Sequence, residues 1–329
     1  MVPVFDGHND ALTRRDYRRF VSGRRGGHLD LARMRAGGIR GGIFAVFTPS
    51  RGRDEDARPV SHARAAAHAS AVAGRLLALE RRGHLRLARA LADFDQALAD
   101  DGPPLAVLHL EGAEAIDAGL EALDFWYDAG LRSLGPVWSR PNAFAHGVPF
   151  RSPASPDIGP GLTSAGQALV RRCGELGIVV DLSHMNEAGF WDVARIDAGP
   201  LVASHSAVHA LCASSRNLTD AQLDAIGTSG GLVGIVFANC FLRPDFAEDD
   251  DTPLELIAQH ACYVAERIGV AHVALGSDFD GTTIPRAVGD GAGMPRVIDA
   301  LARAGFSPGE LGAIAWRNWR RVLGVWWRN

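Results

Sequence analysis

Short runs of consecutive apolar residues recur along this chain and alternate with longer, helix-like segments. The runs are Val2–Phe5, Gly42–Phe47, Leu105–Leu110, Ser133–Trp138, Ile178–Leu182, Leu201–Ala203, Gly231–Phe237 and Val273–Leu275. They are continuous rather than alternating, the pattern of strands buried on both faces, as in a parallel sheet. Between them Ser61–Arg82, Glu114–Ala129, Ser164–Leu176, Glu187–Ile196, Asp220–Ile226 and Pro253–Ile268 read as helices. Thr163 and Thr219 stand where N-caps belong, and Gly177 and Gly269 where C-caps belong. Eight strands with intervening helices predict an α/β fold, a (β/α)8 TIM-like barrel forming one domain over residues 1–329, closed by terminal helices within 295–327. An open doubly wound sheet is the alternative. It needs a glycine-rich phosphate loop after its first strand, where this chain has Asp6-Gly7-His8-Asn9-Asp10. Arg51–Val60 is polar and reads as a loop. Phe144–Leu162 carries four prolines and reads as a long loop over the barrel mouth.

Composition narrows the class. The chain has 329 residues, 47% hydrophobic and 22% charged, with net charge −4, an ordinary globular mixture with no basic surplus to attract nucleic acid. No apolar run reaches the roughly 18 residues that span a bilayer. With no basic, then apolar leader at its start, the chain is expected to be cytoplasmic and not membrane-bound. Cys173, Cys212, Cys240 and Cys262 form no Cys-x-x-Cys pair and read as reduced thiols.

Ionisable residues collect at the ends of the predicted strands, where a barrel places its active site. The first strand ends in His8-Asn9-Asp10, the third in His109-Leu110-Glu111, the fifth in Asp181-Leu182-Ser183-His184, the sixth in Ser204-His205-Ser206, and the eighth in Ser277-Asp278-Phe279-Asp280. Residues i and i+2 of an extended segment share a face, so His8 and Asp10 can reach one ion together. Adding Glu111, His184 and His205 gives three imidazoles and two carboxylates, a set that suits two divalent ions sharing one carboxylate. This points to a metal-dependent hydrolase. His109 competes with these residues for a ligand role. His62, His68 and His84 read as solvated. All 34 basic residues are arginine, so no carboxylated lysine is available to bridge two metals, and a carboxylate such as Glu111 must do so.

Nearly end to end, these motifs make the chain similar to the membrane (renal) dipeptidase family of zinc metallopeptidases. The similarity rests on Asp6-Gly7-His8-Asn9-Asp10, His28-Leu29-Asp30-Leu31, Leu110-Glu111-Gly112, Asp181-Leu182-Ser183-His184, Ser204-His205-Ser206, Arg216-Asn217 and Gly276-Ser277-Asp278-Phe279-Asp280-Gly281. The resemblance implies two zinc ions, one on His8 and Asp10, one on His184 and His205, with Glu111 bridging. It implies that Arg216 holds the terminal carboxylate of a dipeptide substrate and that Asp278 transfers the proton, with Asp280 its neighbour and competitor. A water shared by the two ions would attack the peptide bond, including one before a C-terminal D-residue. Other amides or esters, such as N-acyl amino acids or lactones, are the alternative substrates. The family also suggests a homodimer. One position departs: Trp138 stands where many members carry a histidine that steadies the tetrahedral intermediate. Trp138 is therefore a candidate substrate contact, and Arg140 or His146 a candidate replacement donor.

Overall fold

The computed structural model describes residues 1–50, 59–99 and 101–327; of the polar loop expected at 51–60, residues 51–58 lie outside them. In chain order the strands are β1 (Val4–Asn9), β2 (Ile39–Phe47), β3 (Arg86–Leu87), β4 (Leu105–Glu111), β5 (Leu131–Gly135), β6 (Val179–Val180), β7 (Val202–Ser206), β8 (Leu232–Ile235) and β9 (Val273–Leu275). All pair in parallel. One sheet runs β1-β2-β4-β5-β6, and another runs β7-β8-β9. Parallel bridges between Asp181 and Val202 and between Asn9 and Phe279 join the two sheets at both edges and close the ring. Eight of the strands thus make the expected barrel. The ninth, β3, lies beside Leu105 and Ala106 at the start of β4.

The expected strands are buried apart from residues at their ends, such as Val2, Phe47 and Trp138, and β4 is buried at every residue from Leu105 to Glu111. Closure of the ring uses a polar stitch. Asp6 on β1 accepts hydrogen bonds from the Ser277 amide (2.8 Å) and hydroxyl (2.9 Å) just after β9. The base of the barrel is plugged by aromatic rings. Phe5 packs against Phe94, Trp316 and Trp319 at centroid distances of 4.9, 5.9 and 5.6 Å. Trp319 enters so far that a side chain at Gly7 would collide with it. Its indole N–H donates to the Leu275 carbonyl at 3.1 Å. The helical segments Ala313–Arg317 and Asn318–Trp326, which carry Trp316 and Trp319, therefore seal the end opposite the strand termini that carry the chemistry, while the helix Met294–Arg303 packs on the helix Glu255–Ile268.

Local signals succeeded where the capping chemistry was plain. Thr163 caps Ser164–Leu176 through the Gly166 amide, and Thr219 forms a capping box with Gln222. Gly177 ends its helix in the left-handed conformation. Three expectations change. The strand expected at Ser133–Trp138 runs from Leu131 to Gly135, because Pro136 offers no N–H to the ladder. The helix expected over Glu114–Ala129 is a single turn at Ala113–Ala115 and a helix from Glu121 to Asp128. Between them the Asp117 carboxylate takes the amides of Glu121 and Ala122 and starts the helix anew. Leu91–Ala99 is a helix that the apolar pattern had not marked; it buries Phe94 and Ala97. Among the described residues no helix is long and apolar enough to cross a membrane.

His260, on the helix Glu255–Ile268, ties two mouth loops to the wall. The Val208 amide donates to its Nδ1 (3.0 Å), and its Nε2–H donates to the Leu242 carbonyl (3.1 Å). Burial lowers its pKa to about 4 from 6.5, so the fold holds it neutral. The unfolded chain takes up its proton first as pH falls. The stability due to neutral His260 is complete above pH 6.5 and is lost as pH drops toward 4, by about 3 kcal/mol. Glutamine can supply the same acceptor and donor without titrating. Denaturant unfolding of His260→Gln between pH 4 and 7 is expected to show a shallower pH slope than wild type; equal slopes would contradict the assignment.

Candidate metal centre and active site

The residues predicted from the strand ends meet at the open end of the barrel. β1 delivers His8, the residue just after β1 is Asp10, β4 delivers Glu111, the turn after β6 delivers His184, β7 delivers His205, and the turn after β9 delivers Asp278. Glu111 is central: its Oε1 lies 2.9 Å from His184 Nε2, 3.6 Å from His205 Nε2 and 3.7 Å from His8 Nε2. His8 Nε2 is 3.8 Å from Asp10 Oδ2. His184 and His205 bring their Nε2 atoms within 3.0 Å of each other. Among the described residues three donor groups result: Glu111 with His184 and His205, His8 with Asp10 and Asp278, and His8 with His205 and Asp181.

Backbone geometry aims two of these side chains. His184 and Asp278 adopt φ of +70° and +59°, and Asp280 +70°. Such conformations cost roughly 1–3 kcal/mol each and persist where surrounding structure enforces them. Around Asp278 the enforcement is visible. The Asp278 amide donates to the His8 carbonyl at 3.0 Å. Any side chain on Gly281 would run into the Asp10 and Asp278 carboxylates.

Burial governs the electrostatics. Desolvation holds His8, His184 and His205 well below the usual imidazole range, so all three are neutral. It drives Asp10 and Glu111 well above the usual carboxylate range, an effect reinforced at Asp10 by Asp278 and Asp280 and at Glu111 by Asp10 and Asp278. Burial pushes Asp278 up to about 7 against the pull of Arg216. Both ring nitrogens of His8 are buried with no hydrogen-bond partner, an expensive arrangement for a polar group. Neutral imidazoles and crowded carboxylates with unspent lone pairs are what a divalent cation relieves, so the donor set fits metal ions.

Arg216 is 4% exposed and stands behind this cage. Its Nη2 donates to the His205 carbonyl at 3.1 Å, and its guanidinium lies over the Phe241 ring. Its Nε lies 3.1 Å from His184 Nδ1, which also faces Ser139 Oγ at 2.7 Å. A guanidinium only donates, so that contact uses the Nδ1 lone pair and leaves the His184 proton on Nε2. Ligation through Nε2 requires the proton on Nδ1, facing Ser139, with Arg216 turned away.

A cavity of about 520 Å³ opens over the cage. Asp10, Glu111, His184 and Asp278 form part of its wall, with Phe47, Trp138, Phe150 and Phe241. Trp138 contacts Phe47, Phe150 and His184 with ring separations of 4.8, 5.6 and 5.8 Å. Of the long loop expected over the mouth, Phe150 reaches the cavity.

Several other expectations are now resolved. Asp280 is fully engaged: the Arg24 guanidinium lies 2.9 Å from Oδ2, and the His28 amide donates to Oδ1 at 2.6 Å. Asp278 has no such clamp. His109 is turned to Ser133 Oγ at 2.9 Å and belongs to neither donor group around Glu111 or Asp10. Arg140 cannot replace the missing histidine, because Glu114, Ser50 and the Thr48 carbonyl occupy its guanidinium. His146 sits against Gly159, away from the cavity wall. His68 corrects the reading that it is solvated, since it is half-buried and lines the cavity. Its signal was faint, one histidine on the inner side of an alanine-rich helix.

Residues 1–326 match the membrane dipeptidase family, peptidase family M19. The fold superposes with a TM-score of 0.95 on a metallo peptidase from Rhodobacter sphaeroides, liganded with a phosphinate mimic of the dipeptide L-Ala-D-Ala. That protein is 44% identical, with 99% of each chain covered. A second solved structure, dipeptidase AC of family M19, gives a TM-score of 0.95 at 45% identity, again covering 99% of each chain. An uncharacterized protein from the pqqA 5′ region of Klebsiella pneumoniae is 48% identical over 75% of this chain and 91% of its own. The chain belongs to the membrane dipeptidase family and is a metal-dependent hydrolase of dipeptides.

Proposed function

We propose that this enzyme is a two-zinc dipeptidase, with His8 and Asp10 holding one ion, His184 and His205 the other, and Glu111 bridging them. The observation that carries the reading is the single Glu111 oxygen facing the Nε2 atoms of three neutral imidazoles. Nitrogen and oxygen donors in this number suit zinc, although other divalent ions accept them too. Bound cations would polarise the scissile carbonyl and acidify the attacking water.

The chain's own groups do the rest. Asp278 has a carboxyl poised near neutrality by burial; bound cations would pull its pKa down and keep it a proton acceptor. It takes the water's proton and delivers it to the leaving amine nitrogen. Arg216 is held at a pKa of about 10, lowered by burial, and stays cationic at neutral pH. Each of its terminal nitrogens carries a second N–H that can turn to the substrate's terminal carboxylate. That fixed distance between carboxylate and scissile bond selects dipeptides. Trp138 and Phe150 bound the substrate on the cavity side. A C-terminal D-residue fits the reading, since the Rhodobacter sphaeroides relative accepts a mimic of L-Ala-D-Ala. The four cysteines are free thiols, which supports a reducing, cytoplasmic setting.

Hydrolysis of L-Ala-L-Ala and L-Ala-D-Ala, with N-acetylated and C-amidated counterparts, tests the whole reading. Turnover of the free dipeptides and loss of activity on dialysis against a chelator, restored by zinc, are expected. Preference for N-acyl amino acids would favour the rival amidohydrolase reading instead. Asp278→Asn is expected to lower kcat by about 10²- to 10⁴-fold while zinc content stays at wild-type level; unchanged turnover would remove Asp278 from proton transfer. Arg216→Gln is expected to abolish discrimination between a dipeptide and its C-terminal amide, losing about 30-fold or more in kcat/KM for the free acid alone. An unaltered acid-to-amide ratio would place the carboxylate elsewhere.

A further inference from the structure

Asp181 is the residue of the Asp181-Leu182-Ser183-His184 stretch that the proposed reaction leaves without a task. It is 2% exposed and surrounded by donors. Its Oδ1 accepts from the Ser204 amide (2.8 Å), the Ser183 amide (3.1 Å) and the Ser183 hydroxyl (2.9 Å). Its Oδ2 accepts from the Ser204 hydroxyl at 2.5 Å. Backbone amides only donate. The Ser183 oxygen already accepts the His205 amide at 3.1 Å, which leaves its proton for Asp181. The Ser204 oxygen lies 2.8 Å from His205 Nδ1. A hydroxyl has one proton, and a carboxylate oxygen only accepts. With that proton spent on Asp181, Ser204 must accept from His205 Nδ1–H. The lone pair of His205 is thereby left on Nε2, facing Glu111 and His184.

We infer that Asp181 is a positioning residue: through Ser204 it fixes His205 in the one tautomer that can ligate a metal through Nε2. The inference rests on the metal centre proposed above and adds to it a polarity built into the fold. A carboxylate behind a ligating histidine is a general device for fixing its ring and raising its basicity; here a serine is interposed. The other two imidazoles lack it. His8 Nδ1 has no partner, and His184 Nδ1 faces Ser139 and Arg216.

The relay has a distinctive failure. In Asp181→Asn the amide oxygen keeps the Oδ1 bonds, and the amide nitrogen takes the Oδ2 position as a donor to Ser204. Ser204 then turns its proton to His205 Nδ1, and the His205 proton moves to Nε2, where it blocks ligation. Removing the serine as well abolishes that wrong instruction. Zinc affinity, measured by chelator competition in purified protein, is therefore expected to fall about 10- to 100-fold in Asp181→Asn. In Ser204→Ala it is expected to fall by less than about tenfold, and in the double variant no further than in Ser204→Ala. The second substitution thus rescues the first. Nitrogen-15 chemical shifts of His205 in metal-free protein are expected to show the proton on Nδ1 in wild type and on Nε2 in Asp181→Asn. Additive losses in the double variant, or wild-type affinity in Asp181→Asn, would overturn the relay. So would an Nε2 proton on His205 in wild type, a result independent of zinc. Failure of the metal reading would show separately, as zinc affinity that His205→Ala leaves unchanged.

Discussion

Three neutral imidazoles and the Asp10 carboxyl crowded about Glu111, largely removed from bulk water, form an arrangement that cation binding relieves. Each group is desolvated, and the carboxylates repel one another, so that Asp10 and Glu111 resist ionisation in the bare cage. His8 has both ring nitrogens without a partner. An apolar core has no use for such groups, because leaving them unsatisfied opposes folding. The barrel must therefore be stable enough without them to hold them in place. The rest of the structure can be understood as meeting that demand.

Stability is concentrated at the opposite end. Phe5, Phe94, Trp316 and Trp319 fill the barrel base, and the strands between base and mouth are buried along nearly all of their length. The apolar base lets the mouth carry positive φ at His184 and Asp278. Polar groups around the mouth are then divided by task. Asp6 and Asp280 are spent on holding the β1 and β9 ends and the segment from Arg24 to Leu29 in register. Asp278, two residues from Asp280, is spared such bonds. This difference in partners, within one short turn, is what makes one carboxyl a candidate for proton transfer and its neighbour a strut.

Direction matters as much as proximity in the cage. The hydrogen bonds around His205 run one way, from imidazole to serine to carboxylate. Around His184 the Arg216 contact runs the other way, into Nδ1. The two histidines proposed to share one metal position are thus prepared differently. In the proposed centre, ligation at His184 through Nε2 would require Arg216, the group proposed to meet the substrate carboxylate, to leave Nδ1. Substrate and metal ions would share that arginine's position as a common variable.

Much of this was legible in the sequence. Apolar runs gave the eight barrel strands because residues buried on both faces must be apolar. Side-chain alternation gave His8 with Asp10, and the strand-end rule gathered Glu111, His184, His205 and Asp278. The missing lysines excluded a carbamate bridge without any structure. What the sequence could not supply were relations set by long-range packing. His68 reaches the cavity because its helix is laid against β2, and nothing in its neighbours reveals that. Asp280 is a strut because Arg24 and His28 arrive from more than 250 residues away. Asp181 acts on His205 through a serine on the next strand, a contact that exists only once the ring is closed. Side-chain identity and spacing thus determined which chemistry was present. Tertiary structure decided which groups were free to use it, because the partners that occupy a lone pair or a proton lie far apart in the chain.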